Sequence, residues 1–76
     1  MILLLTRYTK DGDLPDATTD VTAVGAEALG AVLGVPADRL VDVYPLTRAH
    51  AARLQQLTGI PLDPETYDYF LEPGAE

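Results

Sequence analysis

The sequence predicts an α+β domain: a small, mainly antiparallel sheet of three to four strands, with two helices packed on one face. Strand-like and helix-like hydrophobic periods alternate along the chain. A turn signal, Lys10-Asp11-Gly12-Asp13, directly follows the first apolar run. The chain then closes on an aromatic, strand-like segment, Tyr67 to Glu72.

Residues 2–9 read as the first strand. Ile2, Leu4 and Tyr8 fall on one face, Leu3 and Leu5 on the other. Apolar residues on both faces predict a central position in the sheet. The Asp11-Gly12 pair predicts a hairpin, with a poor second strand over residues 14–21 that Pro15 confines to an edge. Residues 22–33 read as a helix with Val24, Ala28, Leu29, Val32 and Leu33 on one stripe, Thr22 as its N-cap and Gly34 just beyond its end. Gly25 and Gly30 each cost about 1 kcal/mol relative to Ala, and close packing of this helix on the sheet is their expected role.

Residues 40–44 alternate and read as a strand, with Val41 and Val43 toward the helices and Asp42 and Tyr44 away from them. Thr47 caps a second helix over 48–58, which Gly59 and Pro61 end. Asp63-Pro64-Glu65 reads as one helical turn, followed by a strand over 67–72. Pro73-Gly74 ends that strand, and the chain end is expected to fray. The expected core is Leu3, Leu5, Leu29, Val32, Leu33, Val41, Val43, Leu54 and Leu57, with Phe70 or Leu71. Along the last strand Tyr67, Tyr69 and Leu71 share one face and Asp68, Phe70 and Glu72 the other. One of these sets faces the core.

No repeat or composition break divides the 76 residues, so residues 1–76 read as one domain. The apolar start is too short for a membrane span and has no basic residue before it, as a secretory leader would. A cytoplasmic location follows as an expectation, and the use of Arg, Ala, Gly, Pro and Leu points to a bacterial gene.

Composition limits the chemistry. The chain has no Cys and no Ser, so it holds no thiol or serine nucleophile and no thiolate metal site. His50 is its one histidine and Lys10 its one lysine. A lone histidine in a first helical turn lacks the orienting acid that general-base work requires. A domain this small also has little room for a pocket of about 300 Å³. No enzyme activity, no cofactor and no metal site is therefore expected. Asp11, Asp13, Asp16 and Asp20 resemble a calcium loop only superficially, because their spacing fails the EF-hand pattern.

Charge is more informative. Five basic residues stand against twelve acidic ones, a formal charge of −7. Nucleic-acid binding is excluded, because it needs cations to displace counterions from phosphates. From Ile60 onward there are five acids and no base, interleaved with Tyr67, Tyr69 and Phe70. Tyrosine gives rigid contact area and carboxylates steer encounter with a cationic surface. The partner-binding candidates are Asp42, Tyr44, Asp63, Glu65, Tyr67, Asp68, Tyr69 and Glu72.

Residues 41–73, with Tyr44-Pro45-Leu46-Thr47 and Tyr67-Asp68-Tyr69-Phe70-Leu71 as the matching segments, resemble a family of small acidic bacterial proteins of generally unassigned function. Its pattern is close to D-x-Y-P-[IL]-T, then L-Q on a helix, then Y-D-Y-F-L-E. Its members also open with a short strand and a K-D-x-G-type turn, as at Tyr8 to Asp13 here. Some accompany polymorphic toxins. The resemblance implies an immunity-type role: stoichiometric, non-enzymatic neutralisation of a basic toxin domain, with neither nucleic acid nor membrane as partner. The alternative is a small regulatory or assembly subunit that forms homo-oligomers and has no toxin partner.

Overall fold

The computed structural model describes residues 1–74. Among them the predicted α+β architecture is present: a four-stranded antiparallel sheet with two α-helices on one face. The strands are β1 (Ile2–Thr9), β2 (Pro15–Asp20), β3 (Tyr44–Pro45) and β4 (Tyr67–Gly74), and the helices are α1 (Ala26–Leu33) and α2 (Arg48–Thr58). The sheet order is β2-β1-β4-β3. β1 is central and β2 lies at an edge with all six residues exposed, as expected.

Alternation along β1 and β4 decides which face is covered. Leu3 and Leu5 of β1, with Tyr69 and Leu71 of β4, pack against Val21, Leu29, Val32, Leu40 and Leu54 to form the core. Tyr67, Tyr69 and Leu71 are thus the inward set of β4. Leu33 is half-buried beside the core rather than inside it.

Several expectations are corrected. The predicted helix over 22–33 is interrupted: residues 22–24 form a single 3-10 turn, and α1 begins only at Ala26. Gly25 separates the two with φ of 99°, a conformation that side-chain-bearing residues rarely adopt. Thr22 does not cap α1. Its hydroxyl accepts a hydrogen bond from Leu3 N–H at 3.0 Å, so it completes the sheet instead. Gly30 allows a close approach, though not to the sheet: a Cβ there would lie 2.6 Å from the carbonyl oxygen of Val35.

The strand expected over 40–44 shrinks to Tyr44–Pro45. Leu40 is buried and Tyr44 half-buried, while Val41 and Val43 are 60% and 56% exposed. The chain between Leu40 and Tyr44 loops outward because both ends are anchored. The Tyr44 hydroxyl donates to the Arg39 carbonyl at 2.7 Å and draws the ends together. Leu57 is 48% exposed, because the buried stripe of α2 runs through Ala51 and Leu54 and leaves Leu57 on the rim.

The last strand runs to Gly74 instead of stopping at Glu72. Tyr69 accepts a hydrogen bond from Leu46 on the β3 side, so by alternation the nitrogen of Pro73 also points to that side, where β3 has already ended. A proline fits there because no ladder bond is lost. The chain end beyond Gly74, expected to fray, lies outside the described residues.

Candidate protein-binding face

The two helices leave one face of the sheet uncovered. Directly opposed residues of an antiparallel pair share a face, so the strand register maps this surface. Ile2 lies opposite Gly74. The next row reads Asp20, Leu4, Glu72, then Thr18, Thr6, Phe70, Pro45, then Tyr8 beside Asp68. At its centre Ile2, Leu4, Tyr8 and Phe70 are all half-buried. Tyr8 and Phe70 meet edge to face, with ring centroids 5.4 Å apart. Acids flank this apolar strip. Asp20 and Glu72 sit on either side of Leu4, two strand spacings or about 10 Å apart. Asp68 stands beside Tyr8 and forms an ion pair with Lys10 Nζ at 2.7 Å.

Thr6 lies in the middle of the strip and is 1% exposed. Its hydroxyl oxygen is buried without a hydrogen-bond partner.

The structure divides the eight predicted contact residues into groups. Asp68 and Glu72 lie on the uncovered face. Tyr69 is buried in the core, and Tyr44 points to the helix side rather than away from it. Tyr67 is half-buried on that same side, with the Arg7 guanidinium 4.1 Å from its ring centroid. Asp63 and Glu65 are exposed in the turn before β4, and Asp42 is exposed in the loop after Leu40, off the sheet. Four further residues of this face lie outside the predicted set: Leu4, Tyr8, Phe70 and Asp20. For Leu4 and Tyr8 the signal was present in β1, whose second apolar face has no third helix to cover it.

Local bonding accounts for the electrostatics. The Asp20 carboxylate accepts the Thr22 backbone N–H at 2.8 Å. Hydrogen bonds from the Thr22 side chain and backbone hold its pKa below the usual carboxylate value. The Asp63 carboxyl is lowered chiefly by a hydrogen bond from the Thr66 side chain, and the positive charge of Lys10 adds to this. Arg7 pairs with Asp16, which raises the Arg7 pKa. Asp16 and Asp20 are thus engaged separately, and among the described residues no three His, Asp or Glu side chains come together to hold a metal ion.

His50 serves α2. Its backbone N–H donates to the Thr47 hydroxyl at 3.2 Å, and its Nδ1 accepts the Thr47 backbone N–H at 3.1 Å. This reciprocal capping box joins the residue that ends the β3 connection to the first turn of the helix. Nδ1 must carry a lone pair to make that bond.

An open cleft of about 650 Å³ lies at the Asp68 end of the face, larger than the sequence led us to expect. It is lined by Lys10, Arg48, Glu65, Tyr67, Asp68 and Phe70 among others. Four of the predicted contact residues, Glu65, Tyr67, Asp68 and the largely buried Tyr69, therefore line one cavity.

A family model described as a domain of unknown function (DUF7683) matches residues 2–72. The chain belongs to the DUF7683 family. The match runs from the first residue of β1 to Glu72, so it spans both helices and the whole uncovered strip from Ile2 to Glu72. No curated protein and no solved structure matches this DUF7683 chain. No helix among its described residues is long and apolar enough to cross a membrane.

Proposed function

We propose that this DUF7683 protein is a non-enzymatic binding module of the immunity or inhibitor type, which holds a basic protein, a bacterial toxin domain, against the uncovered face of its sheet in the cytoplasm. The observation that carries this reading is the arrangement of that face: an apolar strip of Leu4, Tyr8 and Phe70 bounded by Asp20, Asp68 and Glu72. Apolar and aromatic side chains at the centre with charged groups at the margin are the usual anatomy of a protein interface. The net charge of −7 supports a cationic partner, because like-signed surfaces repel and opposite ones steer encounter. Relative to the sequence expectation, the surface moves. Tyr8 replaces Tyr44 and Tyr69 as the tyrosine on the uncovered face, while Asp68 and Glu72 stay.

A second copy of this chain is a poorer occupant. Packing two such faces together brings Asp20, Asp68 and Glu72 of both copies into one interface. Sedimentation at low salt distinguishes the two readings: a monomer is expected, and a dimer dispersed by Leu4→Asp favours the assembly-subunit reading.

The test of the main reading is affinity capture from the native host, with the wild-type chain and a Leu4→Asp variant as baits. The expected result is one basic protein held at low salt by wild type and lost with the variant. Equal capture by both baits would refute the role of this face.

A further inference from the structure

The cleft beside Asp68 exists because β3 contributes only Tyr44 and Pro45. The first residues of β4 therefore have no strand beside them on that edge, and the turn from Asp63 to Thr66 forms the facing wall. Two carboxylates and two cations line the space. Asp68 accepts from Lys10 Nζ at 2.7 Å, and Glu65 accepts from Arg48 Nη1 at 3.0 Å. Tyr67 and Phe70 add aromatic surface.

We propose that this cleft receives an arginine side chain of the basic partner, whose guanidinium bonds Asp68 and Glu65 in place of Lys10 and Arg48. The proposal rests on the binding function described above and names the group that anchors it. Both internal ion pairs are exposed. Pairs of that kind are weak because water screens them, so an incoming cation displaces them at small cost. A guanidinium suits the lining better than an ammonium, because its planar fork bonds carboxylate oxygens in pairs and stacks on rings. The Tyr67 ring already holds one guanidinium, that of Arg7, at 4.1 Å. The cleft is also continuous with the binding face, since Asp68, Phe70 and Pro45 belong to both. An anion is disfavoured there: Lys10 and Arg48 are each neutralised by a carboxylate, in a protein of net charge −7.

The probe is N-acetyl-arginine amide, titrated into the isotopically labelled protein and followed through backbone amide NMR signals. N-acetyl-lysine amide and potassium chloride at matched ionic strength are the comparisons. Saturable shifts at Lys10 and residues 65–70 are expected, with the arginine probe binding more tightly than the lysine probe. The doubly neutralised variant Glu65→Gln/Asp68→Asn should weaken the arginine probe about tenfold or more. Lys10→Gln should strengthen it, whereas Arg53→Gln, the same charge change on the exposed side of α2, should not. Arginine shifts no larger than those from salt, or equal binding by the double variant, overturn the proposal. With the captured partner, lost binding on Leu4→Asp but none on Glu65→Gln/Asp68→Asn overturns the cleft assignment and leaves the face in place.

Discussion

The backbone N–H of Asp63 donates a hydrogen bond to the hydroxyl of buried Tyr69 at 2.9 Å. This one bond ties the turn that walls the cleft to the core beneath the sheet. Tyr69→Phe removes the acceptor and leaves the Asp63 N–H without it, so stability should fall by about 1 kcal/mol. The urea midpoint checks this. An unchanged midpoint would mean that the hydroxyl does not hold the turn.

Leu54 is 1% exposed at the centre of the core. Its truncation to Ala should cost about 2–5 kcal/mol, a large share of what a domain of this size holds. Val43→Ala should stay within about 0.5 kcal/mol, because Val43 is on the surface. Thermal unfolding of the two variants side by side tests the corrected core, and equal losses would contradict it.

Thr6 makes the opposite prediction. Its buried hydroxyl has no hydrogen-bond partner. A buried polar group without a partner costs about 1–3 kcal/mol. Replacement by Val keeps the shape and removes the hydroxyl, so Thr6→Val should raise the melting temperature. A lower melting temperature would show that the hydroxyl is satisfied in solution.

Acid should destabilise the fold through Asp20 and Asp63. Hydrogen bonds from Thr22 and Thr66 lower their folded pKa values. A carboxyl lowered in this way adds stability above its unfolded pKa of about 3.9. That contribution is lost as pH falls through the folded pKa. Stability should therefore decline below about pH 4, and Asp20→Asn or Asp63→Asn should flatten the decline. Melting curves from neutral to strongly acidic pH would show it, and an unaltered acid limb in both variants would contradict it.

Much of the fold was legible because local signals and burial agree. The β1 run, Pro15 at the edge, and the Thr47 cap with Gly59 closing α2 all act within a few residues of where they are read. The failures came from long-range anchoring. The alternation of Val41, Asp42 and Val43 looks like a strand, but burial of Leu40 and the bond from Tyr44 to Arg39 turn that stretch outward. Thr22 has the chemistry of a helix cap, yet the Leu3 N–H, nineteen residues away, claims its oxygen. The candidate site was half legible for the same reason. Asp68 and Glu72 could be placed together by strand parity, but their neighbours Leu4 and Tyr8 come from the other end of the chain. Only the register of β1 against β4 brings them beside the acids.

The most direct test of the binding face is the association rate of the captured partner with wild type and with an Asp68→Lys/Glu72→Lys variant. It should be measured at about 0.01 M and about 0.15 M salt, between which the screening length falls from about 30 to about 8 Å. Wild type should associate fast at low salt and much more slowly at high salt. The variant should be slower by about tenfold or more at low salt, with its melting temperature nearly unchanged. A variant that associates as fast as wild type at low salt would contradict the assignment of this face.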